Sequence, residues 1–447
     1  MQKINLSITA VIIACLAFNF SLKLWEKQDR VIEHDVHHYY SYLPLAFIYN
    51  DLRIEKSDYR MGDNYYLVWP LTTEDGRKTI KNTMGMAFLY APFFFVAHGL
   101  SHFIDYPANG YTEIYKFFLQ LSALFYLFIG LLFLHKILKH LKFNDNIISF
   151  TILLVGLGTN LFCYSSHSST MPHVYNFCLV SIFVYYTILW HDNPKLKHTF
   201  IIGLMIGLLS LIRPSNIIVI LFFFLYGVTD IRSLKACIKK ISFKHILIVS
   251  LCIFSIWLPQ YLYWKHTTGH YIFYSYTDER FFFNKPKIID GLFSFRKGWL
   301  TYTPVMFFAL TGIALLKNNL KQLQLATIIF ISINVYIIFS WWCWWYGGTY
   351  GQRSFIDFYA ILAIPLAAAI RFIFEKKLIY KLIFVSMSAF FIWLNIFQTY
   401  QFEYHSLHFE AMTQKLYFKQ FGKLHKIPDA DKYLVWPNYD EAKKGNR

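Results

Sequence analysis

Most apolar residues in this chain occur in long blocks of about 17 to 22 positions that contain few charges, and one shorter pair, 200–212 and 214–228, is separated by Arg213. Because roughly 20 apolar residues in a helix cross about 30 Å of hydrocarbon, these blocks predict membrane-spanning helices rather than the faces of a soluble core. The predicted spans cover residues 4–24, 114–134, 147–163, 171–190, 200–212, 214–228, 245–264, 298–316, 324–341, 357–373 and 378–399. The predicted fold class is therefore all-α: a polytopic integral membrane protein of about 11 transmembrane helices.

One further apolar block, residues 84–100, does not fit an alternating series of spans. If it crossed the membrane, the lysines that follow the next span would lie on the outer side, opposite to the other basic loops. Its length of about 17 residues and the internal Pro92 instead allow an interfacial or re-entrant segment. We therefore expect a large first outer loop, residues 25–113, that carries interfacial helices.

The basic residues indicate the orientation of the chain. Its 447 residues carry a formal net charge of +17, yet only 15% of them are charged. In a soluble protein this charge would suggest a nucleic-acid partner, but here the lysines and arginines lie mostly in short loops, as on the cytoplasmic side of membrane proteins. These loops cover residues 136–142, 195–197, 232–244, 317–321 and 371–381. No nucleic acid is expected to bind, and residues 265–297 are expected outside with the first loop.

The two ends of the chain carry separate predictions. The transmembrane domain is predicted to cover residues 1–399, with a first span that is retained, because its apolar run continues past Cys15 and is too long for a signal-peptide core. The tail, residues 400–447, is predicted outside. Its Phe409, Met412 and Leu416 lie near one helical face, which indicates an amphipathic surface helix.

A polar stretch, EHDVHHYYSY, follows the first span at residues 33–42. His34 and His38 have the i, i+4 spacing of a zinc metalloprotease site with Asp35 beside them, although no third ligand is identifiable. The tyrosines suit an aromatic belt at a membrane interface. That second interpretation leaves Glu33 and Asp35 unexplained, because a carboxylate gains nothing from lying near anionic headgroups.

The layout of the chain resembles the C-type superfamily of membrane glycosyltransferases, which includes the protein mannosyltransferases and the lipid A aminoarabinose transferases. Three features carry the resemblance. An acidic pair separated by one residue, Glu33 and Asp35, opens a large first outer loop after a single span. The stretch GLFSFRKGWLTYTPVMFFALTGI (291–313) leads from a loop into a span, and WWYGGTYGQRSFIDFYAILAIPLA (344–367) combines aromatic residues, glycines and Arg353. The resemblance implies a sugar donor linked to polyprenyl phosphate and a site on the non-cytoplasmic face.

The reaction that the resemblance implies needs a base and cations. The leaving group is already a phosphate anion, so no general acid is required to expel it. The acceptor, by contrast, must lose a proton to a base. The resemblance assigns the catalytic base to Asp35. Glu33 would assist, or would bind a sugar hydroxyl or a divalent cation together with Asp35. A divalent cation is the one cofactor considered, and its requirement is left open.

The donor phosphate needs positive charge outside the cytoplasmic loops. Arg353 is the main candidate, because a guanidinium can bind phosphate through two hydrogen bonds. Arg296 and Lys297 are a second source, and Lys81 is a third; arginines and lysines near span ends also commonly extend to lipid headgroups. Further candidate substrate contacts are Tyr350, His167 and Arg213.

Taken together, these patterns predict a multi-pass protein of the inner (plasma) membrane with its active site facing the periplasm or exterior. The predicted function is inverting glycosyl transfer from a polyprenyl-phosphate-linked sugar donor to a hydroxyl or amine of a lipid, glycan or protein acceptor, with membrane lipids as surroundings. The main alternative is a transporter or flippase for a lipid-linked sugar. Such proteins place ionisable groups near mid-membrane and often contain internal repeats, whereas these spans are nearly free of charge.

Overall fold

The computed structural model describes residues 5–56, 59 and 66–447, and within this part of the chain it is almost entirely helical. The α-helices are α1 (Leu6–Leu22), α2 (Asp35–Tyr40), α3 (Tyr42–Phe47), α4 (Gly85–Phe103), α5 (Glu113–His140), α6 (Asp145–Leu157), α7 (Leu161–Ser166), α8 (His173–Asp192), α9 (Leu196–Ile212), α10 (Ile220–Leu225), α11 (Ile231–Lys239), α12 (Phe243–Thr268), α13 (Ile288–Phe293), α14 (Trp299–Tyr302), α15 (Met306–Asn319), α16 (Lys321–Ser340), α17 (Tyr359–Phe374), α18 (Leu378–Glu403), α19 (Gln414–Gln420) and α20 (Tyr439–Lys444). One antiparallel hairpin joins β1 (Pro70–Thr72) to β2 (Lys78–Ile80), with Pro70 opposite Ile80.

Eight helical segments are long and apolar enough to cross a membrane, judged by length and composition within the described residues. They are Leu6–Glu26, Gly85–Phe103, Glu113–His140, His173–Asp192, Phe243–Thr268, Lys321–Ser340, Arg353–Phe374 and Leu378–Glu403. Shorter apolar helices are Asp145–Leu157, Leu196–Ile212, Pro214–Leu225 and Met306–Asn318. Each apolar block in the sequence overlaps one of these segments, so a mostly helical fold is confirmed. The blocks at 147–163 and 298–316 are each divided between two helices. Eleven as the number of crossings stays a prediction.

The basic loops meet at one end of the helix bundle. Contacts that join them are Asn5 Nδ2 to His135 Nδ1 at 3.4 Å, His140 Nε2 to Asp192 Oδ2 at 2.8 Å, Lys240 Nζ to His191 O at 3.3 Å, Gly227 N to Gln322 O at 2.9 Å, and the Arg371 guanidinium over the Phe143 ring at 4.4 Å. We call this the basic end. Its assembly from five separate loops fits a single cytoplasmic face, where membrane proteins concentrate lysine and arginine.

Helix α4, the block that did not fit the alternation, has both flanks at the opposite end of the bundle. Before it, Thr83 Oγ1 donates to the carbonyl of Leu211, which lies at the end of α9 far from the basic end. After it, the Tyr40 hydroxyl donates to the carbonyl of Gly110 at 2.5 Å, just before α5 begins. Between these flanks, α4 packs against residues 115–126 in the first half of α5. This path is compatible with the predicted interfacial or re-entrant segment, although α4 is long enough to span.

The tyrosines of the polar stretch belong to the protein interior. Tyr39, Tyr40 and Tyr42 are 3%, 0% and 5% exposed, and the Tyr42 hydroxyl donates to the carbonyl of Asn82 at 2.7 Å. An aromatic belt would instead present these rings to the membrane interface. The belt interpretation is therefore wrong for these three residues, which pack the first loop onto the bundle.

The tail folds over loops at the end of the bundle opposite the basic end. Its helix α19 has seven residues, and Met412 and Leu416 are each 2% exposed. The Tyr417 ring contacts Phe295 at 5.0 Å and Tyr302 at 5.9 Å between centroids. The apolar side of the tail therefore packs against the segment between α13 and α15, and the predicted surface helix is shorter than its sequence pattern suggested.

Close helix packing leads to a stability prediction. A side chain at Gly312 of α15 would press directly against the backbone carbonyl of Pro365 in α17, and small residues permit such close approach between membrane helices. We expect Gly312→Ala to destabilise the protein by about 1–3 kcal/mol through overpacking, seen as a lower midpoint of thermal unfolding in detergent. Gly99→Ala is the matched control, because nothing lies within 4 Å of a Cβ at Gly99. Equal midpoints for the two variants would contradict the close contact.

Candidate functional site

The centre of the candidate site is an ion pair between two residues that are 318 positions apart. Arg353 Nη2 lies 3.2 Å from Asp35 Oδ2. The side chain of Asp35 is 45% exposed and that of Arg353 is 12% exposed. The pair therefore lies at a surface that water and a ligand can reach, at the end of the bundle opposite the basic end.

The backbone that leads to Asp35 is strained. Val31 and His34 have φ angles of +73° and +49°, in the left-handed region that a β-branched residue rarely adopts. Thr170 Oγ1 donates to the carbonyl of Val31 at 2.5 Å and so holds this turn against the bundle. Such strain costs about 1–3 kcal/mol and is concentrated at functional sites. Here it directs the chain into α2, whose first residue is Asp35.

Arg353 is positioned by the glycine-rich loop before it. Gly351 has a φ of +56°, and a Cβ there would lie 3.0 Å from the Cβ of Tyr302, so only glycine fits this turn without strain. The chain then enters a 3₁₀ helix at Arg353–Phe358. The Nε atom of Arg353 is buried and has no hydrogen-bond partner among the described residues.

Three more basic side chains act on Asp35. Partial burial raises the pKa of the Asp35 carboxyl, but Arg353, together with His38, Arg213 and Lys81, lowers it below its usual value overall. Asp35 is therefore ionised at neutral pH. Lys81 also pairs with Glu279 at 2.7 Å. These cations come from separate parts of the chain, so the positive potential around Asp35 depends on the tertiary fold.

A second, buried carboxylate interacts with the cations around Asp35. Asp357, four residues after Arg353, is 1% exposed and accepts hydrogen bonds from His173 Nδ1 at 2.7 Å and Asn176 Nδ2 at 2.7 Å. Asp357 also attracts Arg213. The sequence analysis missed Asp357, although a carboxylate one turn after a candidate phosphate-binding arginine, in QRSFIDF, is a usable signal.

Glu33 and His167 belong to a neighbouring cluster. Glu33 Oε2 lies 3.6 Å from Arg30 Nη1, and Arg30 Nη2 donates to Glu403 Oε2 at 2.5 Å. His167 Nε2 lies 2.8 Å from the same oxygen of Glu403, and Lys27 Nζ donates to its other oxygen at 2.9 Å. The cluster ties the end of α18 to the chain just before Asp35. Within this arrangement Glu33 pairs with Arg30.

The zinc interpretation finds no supporting geometry. His34 precedes α2 and His38 lies within it, so the two do not occupy one helical face as an i, i+4 pair would. The ring of His37 stacks on Trp69 at 4.7 Å. In the part of the chain that the structure describes, no three His, Cys, Asp or Glu side chains gather closely enough to hold a metal ion.

The remaining three predicted residues contact the tail or lie within the helix bundle. Lys297 is 1% exposed and donates to the carbonyls of Thr349 and Phe409, and burial lowers its pKa well below its usual value. Arg296 Nη2 donates to the carbonyl of Val435 at 2.9 Å. Tyr350 is 1% exposed. Its hydroxyl lies 3.1 Å from Asn395 Oδ1 and 3.2 Å from Gln398 Oε1, within the bundle.

The structure therefore brings together four of the predicted site residues: Asp35, Arg353, Arg213 and Lys81. It places the other five, Glu33, His167, Arg296, Lys297 and Tyr350, in supporting clusters or in the interior. An ionised carboxylate surrounded by cations, open to water, can accept a proton from one ligand while the cations bind an anionic group of another.

The electrostatics of the pair lead to a pH prediction. Arg353→Gln removes the guanidinium that lowers the pKa of Asp35, whereas the burial that raises this pKa remains. The pKa of Asp35 should therefore rise. The measurement is an NMR titration of aspartate carboxyl ¹³C signals, with the Asp35 signal assigned by its loss in Asp35→Asn. Arg77→Gln is the matched control. Arg77 lies in the first loop, as Asp35 does, but pairs with Asp75 at 2.6 Å. An unchanged titration in Arg353→Gln would show that the ion pair does not control Asp35.

No family model and no curated protein matches this chain. Among solved structures, it is similar to two from Archaeoglobus fulgidus: the archaeal oligosaccharyltransferase AglB in complex with an inhibitory peptide and a dolichol-phosphate, and the oligosaccharyltransferase in the apo form. The identities are 12% and 13%, each with a TM-score of 0.48, over 97% of this chain and 60% of the other. The chain thus spans about three fifths of those proteins, and at these scores the likeness carries no functional argument.

Proposed function

We propose that this protein is a membrane glycosyltransferase that moves a sugar from a polyprenyl-phosphate-linked donor to a hydroxyl or amine of an acceptor. The observation that carries the proposal is the half-exposed Asp35–Arg353 pair, with Arg213 and Lys81 acting on the same carboxylate. The cations would bind the donor phosphate, and Asp35 would take the proton of the acceptor. Attack from the face opposite the phosphate would invert the configuration at the sugar carbon.

The chemistry requires no acid for the leaving group. A polyprenyl phosphate departs as an anion, and preorganised cations stabilise the charge that develops on it in the transition state. Arg353 suits this role, because a guanidinium can bind phosphate through two hydrogen bonds and its Nη2 already faces the accessible carboxylate of Asp35. Arg213 and Lys81 would add to the positive potential.

Donor binding would also activate the base. In the structure, Arg353 lowers the pKa of Asp35, which makes the carboxylate a weak base. If the donor phosphate takes the guanidinium, Asp35 loses its strongest stabilising partner while its partial burial remains, so its pKa rises. A carboxylate with a higher pKa accepts a proton more readily. The base would therefore become effective only after the donor has bound.

The orientation of the site follows from the basic end. Lysine- and arginine-rich loops indicate the cytoplasmic side, and Asp35 lies at the opposite end of the bundle. We propose that the protein lies in the inner (plasma) membrane with this site facing the periplasm or exterior. Lipid-linked sugar donors and lipid, glycan or protein acceptors would meet there.

Transport of a lipid-linked sugar is the second candidate. It is favoured by one observation, the buried cluster of Asp357, His173 and Asn176 between α8 and the 3₁₀ helix before α17. Ionisable groups buried between membrane helices commonly mark transport pathways. Asp357 attracts Arg213, however, which is one of the cations acting on Asp35, and this attraction accounts for the cluster within the transferase.

The transferase makes a direct activity prediction. The purified protein should transfer radiolabelled sugar from membrane polyprenyl-phosphate donors to an endogenous acceptor. Asp35→Asn should lower the rate by about 10² to 10⁴, the usual contribution of a general base, while still binding the donor. Arg353→Lys should also lose activity, because an ammonium cannot make the two parallel hydrogen bonds.

The matched control for this experiment is Asp75→Asn. It makes the same chemical change in the same loop, at a side chain that is 51% exposed in the hairpin turn, and should leave the rate unchanged. If Asp35→Asn transfers sugar as fast as Asp75→Asn, the base assignment fails. If the wild type moves the intact lipid-linked donor between leaflets without transfer, the transport candidate replaces the enzyme.

The orientation can be tested by thiol labelling. All six native cysteines are buried, so the background should be low. In right-side-out spheroplasts, a membrane-impermeant maleimide should label Lys432→Cys in the tail and should label Lys235→Cys in α11 only after permeabilisation. The opposite pattern would place the Asp35 site in the cytoplasm and exclude the proposed location.

A further inference from the structure

A second cleft lies between the tail and the outer loops. Its volume is about 370 Å³, within the range of about 300–1,000 Å³ that is typical of ligand pockets. It lies outside the cluster of residues around Asp35. Residues 290–296, two tryptophans of the glycine-rich loop, and two parts of the tail line it. Neither the base nor the phosphate-binding cations of the proposed reaction belong to this cleft.

The aromatic part of the lining is rigid and partly open. Trp344 and Trp345 are 6% and 2% exposed, whereas Trp436 is 58% exposed. The Trp436 ring is held by contacts with His408 at 4.9 Å and Phe409 at 5.9 Å between centroids. A tryptophan that is fixed by its neighbours and still exposed offers a large flat surface to a ligand at low entropic cost.

The polar part of the lining carries both signs of charge. Arg296 uses Nη2 to bind the Val435 carbonyl, and its guanidinium lies 5.7 Å over the ring of Trp345. Asp290 is half-exposed and lies 3.5 Å from Lys287. Asn438 adds a side-chain amide, and Arg447 adds a second guanidinium, which donates to the carbonyls of Trp341 and Lys285. A strongly anionic ligand would meet the Asp290 carboxylate, and a cationic ligand would meet Arg296, so the lining favours a neutral ligand that both donates and accepts hydrogen bonds.

We propose that this cleft binds a neutral saccharide, and that it holds the glycan portion of the acceptor. A pyranose ring combines a hydroxyl-bearing edge with an apolar face of C–H groups, which matches amide, carboxylate and guanidinium groups beside a flat indole. This inference depends on the proposed transferase only in identifying the bound saccharide as part of the acceptor. The binding of a saccharide is a separate claim with its own test.

The cleft is joined to the phosphate-binding loop. Gln352, the residue before Arg353, donates from Nε2 to the carbonyl of Trp344 at 2.8 Å. Lys297, which follows Arg296, donates to the carbonyl of Thr349 in the same loop. The loop that positions Arg353 thus also supplies a wall of the cleft. A glycan acceptor with one sugar in the cleft would be held by the same rigid segment that holds the donor phosphate.

The test is a binding measurement that does not depend on transfer. Fluorescently labelled neutral tetrasaccharides of glucose, galactose, mannose and N-acetylglucosamine are titrated with the purified full-length protein in a detergent whose headgroup is not a sugar. At least one should bind. Trp436→Ala and Asp290→Ala should each weaken the Kd by about tenfold or more, as expected for residues that anchor a ligand.

Two controls separate the cleft from general effects on folding. Phe418→Ala removes another exposed tail ring, 61% exposed, and Lys287→Ala breaks the ion pair of Asp290 from outside the cleft. Both should stay within twofold of the wild-type Kd. Asp35→Asn should bind the saccharide as the wild type does, so loss of transfer and loss of saccharide binding are distinguishable.

Three outcomes would overturn the inference. The first is no binding of any tetrasaccharide, and the second is binding that Trp436→Ala and Asp290→Ala leave unchanged. The third is preferential binding of an acetylated, amidated tetrapeptide or a short-chain phospholipid that the two cleft variants abolish. In each case the transferase proposal would still be judged by the Asp35→Asn assay alone.

Discussion

The free-energy cost of placing an unpaired charge in hydrocarbon orders the whole structure. The apolar blocks become helices that are nearly free of charge, and the charged residues are displaced to the two ends of the bundle. One end collects lysines and arginines from five loops. The other end has charges of both signs, and there the fold pairs them: Asp35 with Arg353 and Glu403 with Arg30. The candidate site lies at this second end, where the position of each charge is determined by its partner.

Paired charges at this end have two different roles. Glu403 is 7% exposed in its side chain and binds three basic side chains, so it fixes α18 to the start of the first loop. Asp357 is enclosed by His173 and two asparagines. Both are satisfied and buried, as structural carboxylates are. Asp35 is the exception, since it has one strong partner and a side chain that is 45% exposed, and this difference makes it the candidate base among these carboxylates.

Local sequence was sufficient to predict the helical architecture and the best candidates for chemistry. The apolar blocks coincide with helices because about 20 apolar residues have one stable arrangement in hydrocarbon, with all backbone hydrogen bonds made internally. Arg353 could be selected because it is a charge in an aromatic and glycine-rich segment near a span, whereas Asp35 was selected through the resemblance of the chain's layout to a known superfamily. Their pairing could not be derived, because a contact across 318 positions depends on how the helices pack.

What only the tertiary structure decided is which candidate cation faces which anion. Arg296 and Lys297 looked like phosphate ligands in the sequence, but both donate to backbone carbonyls of the tail, and Lys297 also donates to a carbonyl of the glycine-rich loop. Glu33 pairs with Arg30 although only two positions separate it from Asp35, because the chain turns sharply at His34. The sequence by itself determined where charge is tolerated, since this depends on local polarity. The partners of each charge were decided by packing, since a partner is a neighbour in space.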